Sequence, residues 1–297
     1  VKSSFDVYSS KPARGWLPWG ALAPVLALLF VIAGILCGTL LIAPFVRLDA
    51  RQDPVDPIGL MAFTLVPFGL LLAVLLSWVT FIERRPLASI GLTGDRKFRT
   101  YLGGQVIGLA SISGITLLIW IAGGLHATGF APAWSSWQSL SWIALLLPCF
   151  ALQAGVEELL FRGWLLSVVA KKFNVVLGVL LSSALFAFLH FSRGQHWLVT
   201  VSNSLFGIFA CCWVLKSRNV LGVMGWHAGW NWLLAVGFNL PLTGLNVGIP
   251  ALLVDLDPAG PAWLTGGAQG PEGSVFCVAF FLAAIIWLMR SIAARRK

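Results

Sequence analysis

Eight apolar runs dominate the chain and leave it little choice of fold. They occupy about residues 19–45, 58–82, 101–122, 142–170, 175–191, 197–215, 220–240 and 274–289. Most reach the ~17–25 residues that a helix needs to cross a bilayer, with the fifth and the last at the short end. Of the 297 residues 58% are hydrophobic and the mean hydropathy is +0.88, more apolar side chain than a soluble domain can bury. The expected fold class is all-α, a polytopic membrane helical bundle of about eight transmembrane helices. No internal repeat is present, so nothing favours an inverted-repeat transporter.

The basic residues orient the runs. The net charge of +9 is spread between apolar stretches, which reads as topology and gives no nucleic-acid surface. With the N-terminus in the cytoplasm, sixteen Lys and Arg fall inside: Lys2, Lys11, Arg14; Arg84, Arg85, Arg96, Lys97, Arg99; Lys171, Lys172; Lys216, Arg218; Arg290, Arg295, Arg296, Lys297. Only Arg47, Arg51 and Arg193 fall outside, and Arg162 stays within a run. Both termini are then cytoplasmic. The first run is too long for a signal-peptide core and lacks a convincing cleavage site, so a retained span is expected. The five cysteines, Cys37, Cys149, Cys211, Cys212 and Cys277, lie in apolar runs without a CxxC and suggest neither a disulfide framework nor a zinc knuckle. The segments read as a cytoplasmic N-terminal stretch (1–18), N-terminal spans (19–140), a third block (141–240), an extracytoplasmic Gly/Pro-rich loop (241–273), and a last span with a basic tail (274–297).

Within the third block the stretch EELLFR at 157–162 needs a reason. Only 10% of the chain is charged, yet three charges fall in six residues of an apolar run. Each charge left alone in hydrocarbon costs at least ~2.5–3.5 kcal/mol. On a helix Glu158 and Arg162 are at i and i+4 and can neutralise one another. Glu157 lies about 100° further round and needs another partner. Counting ~1.5 Å per residue from the Lys171–Lys172 turn puts Glu157 about 20 Å up the fourth run and His190 about 22 Å up the fifth. His227 and Asn231 lie about 10 and 16 Å up the seventh, on one helical face. One acid, two imidazoles and one amide can therefore meet in mid-bundle. A plain structural role competes with each: a single intramembrane histidine is more often a packing donor, and His126 and His196 sit near run ends. Tryptophans at run ends (Trp16, Trp19, Trp142, Trp197) form an aromatic belt. Four polar groups at matching depth on three runs are harder to explain by packing alone.

EELLFR (157–162), FAFLH (186–190) and HAGWN (227–231) resemble the EExxxR, FxxxH and HxxxN/D motifs of the CPBP family of intramembrane proteases, which includes CAAX endopeptidases and bacteriocin-processing or immunity (Abi-type) proteins. The resemblance covers about residues 145–240, making 141–240 the CPBP-like catalytic core. RPLASIGL (85–92) and GGAQGPEGS (266–274) resemble segments common in bacterial members, and the loop 241–273 is longer than the resemblance leads one to expect.

The resemblance implies proteolysis by a glutamate-activated water. Glu157 is the implied general base, and desolvation would raise its pKa toward the range such a base needs. His190 helps to hold the water, and His227 and Asn231 donate to the oxyanion. Glu158, Arg162 and Phe186 orient this set. The competing form is metal-dependent, with Glu157, His190 and His227 offered to zinc; the chain has no HExxH, and the metal-free form is preferred. Two other classes stay open, a proton-coupled transporter with Glu157 and the histidines as relay, and a non-catalytic immunity or scaffold protein. The expected partners are a membrane-associated protein or peptide substrate and the lipid bilayer, with no nucleic acid. The expected location is a bacterial cytoplasmic membrane. A reporter inserted in the 83–100 loop should read cytoplasmic and one near Gly260 external; the opposite pattern would reverse the orientation.

Overall fold

The computed structural model describes residues 6–8, 13–48 and 54–295; of the charges counted above, Lys2, Lys11, Arg51, Arg296 and Lys297 lie outside these. Six helices are long and apolar enough to cross a membrane: α1 (Ala23–Ile42), α2 (Pro57–Ile82), α3 (Lys97–Ile121), α4 (Trp137–Lys172), α6 (Trp197–Ser217) and α8 (Val275–Ala294). Between them run two shorter columns, α5 (Val175–Leu189) and α7, which is Leu221–Trp232 continued by a π-helical turn Leu233–Gly237. The protein is thus a polytopic helical bundle. The fifth and seventh runs depart from expectation in length. At ~1.5 Å per residue α5 spans about 22 Å and α7 about 25 Å, less than the ~30 Å hydrocarbon layer. Nearly all of α7 is buried, which a span walled in by others permits.

Local chemistry explains the helix ends. Asp56, Ser136, Asn174 and Ser274 each accept a backbone N–H from the first turn of α2, α4, α5 and α8. Lys171 and Lys172 lie in the last turn of α4 and Lys216 in that of α6, next to unpaired carbonyls. One end of the bundle gathers the described basic residues of the 83–100, 171–172 and 216–218 turns, with Arg290 and Arg295. One of them does more than mark topology. Arg85 is buried, pairs with the fully buried Glu83, and donates to Ser167 Oγ. Trp78 and Trp164 also donate to Glu83 Oε1, at 3.0 and 2.8 Å, tying α2 to α4. The N-terminal stretch is likewise less polar in effect than its composition suggests. Val7 and Tyr8 are buried, and the Tyr8 hydroxyl donates to the Arg162 carbonyl at 2.7 Å.

The opposite end carries the one strand pair among the described residues, which an all-α expectation did not contain. β1 (Leu125–Phe130) pairs antiparallel with β2 (Val254–Pro258). The long loop between α7 and α8 is therefore ordered; Leu242, Val247, Ile249, Ala251 and Leu256 are buried in it.

Two contacts fix the inner walls. α7 meets α3 backbone to backbone. A Cβ on Gly225 would lie 2.0 Å from the Tyr101 carbonyl oxygen, and one on Gly108 would lie 2.1 Å from that of Trp226. Gly104 and Gly108 on α3 and Gly225 and Gly229 on α7 are spaced as small-xxx-small pairs, which let membrane helices approach closely. His227 and Asn231 are each two residues, about 200°, from a glycine of that seam, so they point away from α3. The facing wall includes α2, whose Pro67 removes the hydrogen bond to the Phe63 carbonyl. Gly225→Ala should cost about 1–3 kcal/mol through overpacking. Thermal unfolding in detergent will measure this, with Gly103→Ala, which meets nothing within 4 Å, as the near-neutral control.

Candidate functional site

α4 runs unbroken for 36 residues, longer than the 142–170 expected, and changes character where its charges begin. α-helix ends at Glu158, Leu159–Leu165 form a π-helical segment, and α-helix resumes at Leu166. Such bulges recur at functional sites because they turn successive side chains off the regular helical register. The segment is braced from below by Tyr8 and from the side by the 85–92 stretch. A Cβ on Gly163 would lie 2.5 Å from the Ile90 carbonyl oxygen, so only glycine fits there.

Arg162 is fully buried and pairs with Glu158 Oε1 at 3.0 Å, as the i,i+4 spacing anticipates. Its guanidinium lies 4.4 Å from the centre of the Phe186 ring and 4.9 Å from that of Phe206. Aromatic faces attract a cation, the more so out of water. Phe186, with the orienting part expected for it, thus becomes the link between α5 and the α4 charges.

His227 stands between the two glutamates. Its Nδ1–H donates to Glu158 Oε1 at 2.9 Å, and its Nε2 lies 3.9 Å from Glu157 Oε2. The sequence placed Glu158 with Arg162 alone; the same oxygen also orients the histidine. Glu157 has no ion pair with a Lys or Arg among the described residues. Its Oε1 accepts from Gln153 Nε2 at 3.2 Å, and its Oε2 has no hydrogen-bond partner among the described residues. Gln153 Oε1 in turn accepts from Asn231 Nδ2 at 3.3 Å. A continuous polar chain therefore runs from Asn231 through Gln153 to Glu157, beside the group His227, Glu158 and Arg162.

His190 is placed differently from its expected partners. It follows the last residue of α5, its ring stacks on Phe186 with centroids 4.1 Å apart, and its Nδ1 is 2.9 Å from the Phe186 carbonyl. It has no hydrogen bond to Glu157 among the described residues. Among those residues no three His, Cys, Asp or Glu side chains form a group that could hold a metal ion. Glu157, His190 and His227, the set considered for zinc, do not form such a group among the described residues. His126 is in β1 and His196 caps α6 by accepting from the Leu198 N–H, both away from this cluster.

A cavity of about 250 Å³ opens onto these groups. Gln153, His190, His227, Asn231 and Asn203 line it, with Leu60, Phe63, Thr64 and Phe68 of α2 and Leu242, Thr243 and Leu245 of the long loop. Glu272, from GGAQGPEGS, also lines it. Its carboxylate accepts from Trp230 Nε1, the Thr243 N–H and Thr243 Oγ1 at 2.9–3.0 Å, clipping the loop to α7. Gln153, Asn203 and Glu272 were not anticipated. Gln153 carried a readable signal, a polar residue one turn before Glu157 in an apolar run, and Asn203 is a lone amide in the sixth run.

Residues 137–233, which contain all three motifs, match the family model described as type II CAAX prenyl endopeptidase Rce1-like. Neither a curated protein nor a solved structure matches the chain. The match covers about a third of the chain, and it makes that segment similar to a family of membrane endopeptidases.

Removing one partner of the Glu158–Arg162 pair leaves a buried charge unmatched. Arg162→Met and Glu158→Gln should each lower stability by about 3–5 kcal/mol. The double variant should recover a large part of that loss, and unfolding of the three variants forms the cycle that measures the coupling.

Proposed function

We propose that this protein is an intramembrane endopeptidase in which Glu157 activates the attacking water without a metal. The observation that carries the reading is the contrast between adjacent carboxylates. Glu158 pairs with Arg162 and meets His227 through one oxygen, Oε1, whereas Glu157 has no Lys or Arg partner among the described residues and its Oε2 lies 3.9 Å from His227 Nε2. With Nδ1–H committed to Glu158, a neutral His227 offers Nε2 as an acceptor. A water donating to Glu157 Oε2 and His227 Nε2 directs its lone pair into the cavity. His190, on the same cavity, is the second imidazole available to that water.

The reaction follows from these groups. Glu157 takes a water proton as the oxygen adds to the substrate carbonyl carbon and the carbonyl π pair moves onto its oxygen. Asn231 keeps one Nδ2–H beyond the one given to Gln153, and donates it to that oxyanion. Collapse of the intermediate breaks the C–N bond, and Glu157 returns the proton to the leaving amine. Gln153 holds Glu157 in place through the cycle. In this reading His227 holds the water, and Asn231 alone donates to the oxyanion. The bundle sits in the cell membrane with the basic end in the cytoplasm in this reading.

Glu157→Gln should lower cleavage by about 10²–10⁴-fold with little change in unfolding temperature. The assay is purified enzyme in detergent on an apolar peptide, before and after extensive chelation with metal content measured. Substantial turnover by Glu157→Gln, or activity lost with a stoichiometric metal and restored by it, would overturn the mechanism.

A further inference from the structure

Three carboxamides line the cavity, and two are occupied. Gln153 donates to Glu157 and accepts from Asn231. The third, Asn203 on α6, is 8% exposed, and its Nδ2 is buried with no hydrogen-bond partner among the described residues. Its neighbours are different: Ser202 bonds to Cys277 and Ser204 to the Thr200 carbonyl. Buried polar groups are nearly always paired, so an unpaired carboxamide nitrogen on a cavity wall calls for a ligand.

The helices give this amide a definite level. Asn203 is three residues before Phe206 and shares its face, and the Phe206 ring lies 4.9 Å from that of His227. Gln153 is one turn before Glu157 and Asn231 one turn after His227. Because α4 and α6 run in the opposite direction to α7, all three amides stand one turn nearer the strand-capped end than the acid–imidazole cluster. One turn is about 5.4 Å, and an extended chain advances about 3.3 Å per residue, so a substrate there is one or two residues from the bond being cut.

A carboxamide offers one C=O and an NH₂, and the group that answers both together is another amide. A substrate unwound inside a bilayer must have its own N–H and C=O groups satisfied. The apolar lining of Phe63, Phe68, Phe150 and Leu245 satisfies none. We propose that Asn203 binds a main-chain peptide group of the substrate, Oδ1 accepting from its N–H and Nδ2 donating to its C=O. The cavity therefore takes an extended peptide with apolar side chains, held by its backbone. This rests on the endopeptidase reading above.

The test separates binding from cleavage. Full-length Glu157→Gln protein in detergent is titrated with N-acetyl-leucyl-leucine N-methylamide, followed by NMR, and with the analogue whose central amide is an ester. Adding Asn203→Ala or Asn203→Leu should weaken binding of the amide about 10-fold or more while the unfolding temperature holds or rises. The ester should bind less well than the amide to protein with Asn203 and equally well once Asn203 is replaced. In protein with native Glu157, Asn203→Ala should raise KM for a quenched fluorescent apolar peptide more than it lowers kcat. Unchanged binding in both Asn203 variants, equal binding of amide and ester to protein with Asn203, or no measurable binding to it overturns the proposal. Asn203-dependent binding with no cleavage by the native protein would instead defeat only the endopeptidase reading.

Discussion

A guanidinium without solvent exposure sits among hydrocarbon side chains, and the inner bundle depends on how Arg162 is compensated. One carboxylate, from Glu158, supplies the charge; two rings, from α5 and α6, supply the faces. The same carboxylate oxygen accepts from His227 on α7. Four helices are thus joined by one buried cation, and none of them can rotate without leaving it unmatched. Glu157 escapes this arrangement by its place on the helix: one residue earlier, it meets Gln153, which lines the cavity.

That logic was partly readable in the chain. The i,i+4 spacing of Glu158 and Arg162, and of His227 and Asn231, fixes which side chains share a helical face, and apolar run length fixes how many columns form. The three motifs do converge from α4, α5 and α7 as the depth count implied. What the spacing could not carry is contact between helices. Nothing in HAGWN says that His227 will share Glu158 with Arg162, and nothing in FAFLH says that His190 will lie flat on Phe186. Gln153 and Asn203 were missed because a single amide in an apolar run resembles any packing amide until its partners are known. The π-helical segment and the strand pair depend on tertiary contacts, the first braced by Tyr8 and Ile90, the second made between stretches more than 100 residues apart.

The two ends of the bundle act on the site in different ways. At the basic end, Tyr8 on the Arg162 carbonyl and Glu83 under Trp164 hold the π-helical segment in register. At the other, Glu272 holds Thr243 against α7, so the long loop is a wall of the cavity and its composition bears directly on what enters.

The glycine seam between α3 and α7 has a mechanical meaning as well. With no layer of side chains between the two backbones, shear along that contact has nothing soft to deform, and the pair behaves as one stiff stave. Across the cavity, α2 carries Leu60, Phe63, Thr64 and Phe68 on either side of Pro67, where the ladder of helical hydrogen bonds lacks a rung. A chamber with one welded side and one notched side yields preferentially toward the notch. The compliance of the chamber is thereby directed at α2, away from the helix that carries His227.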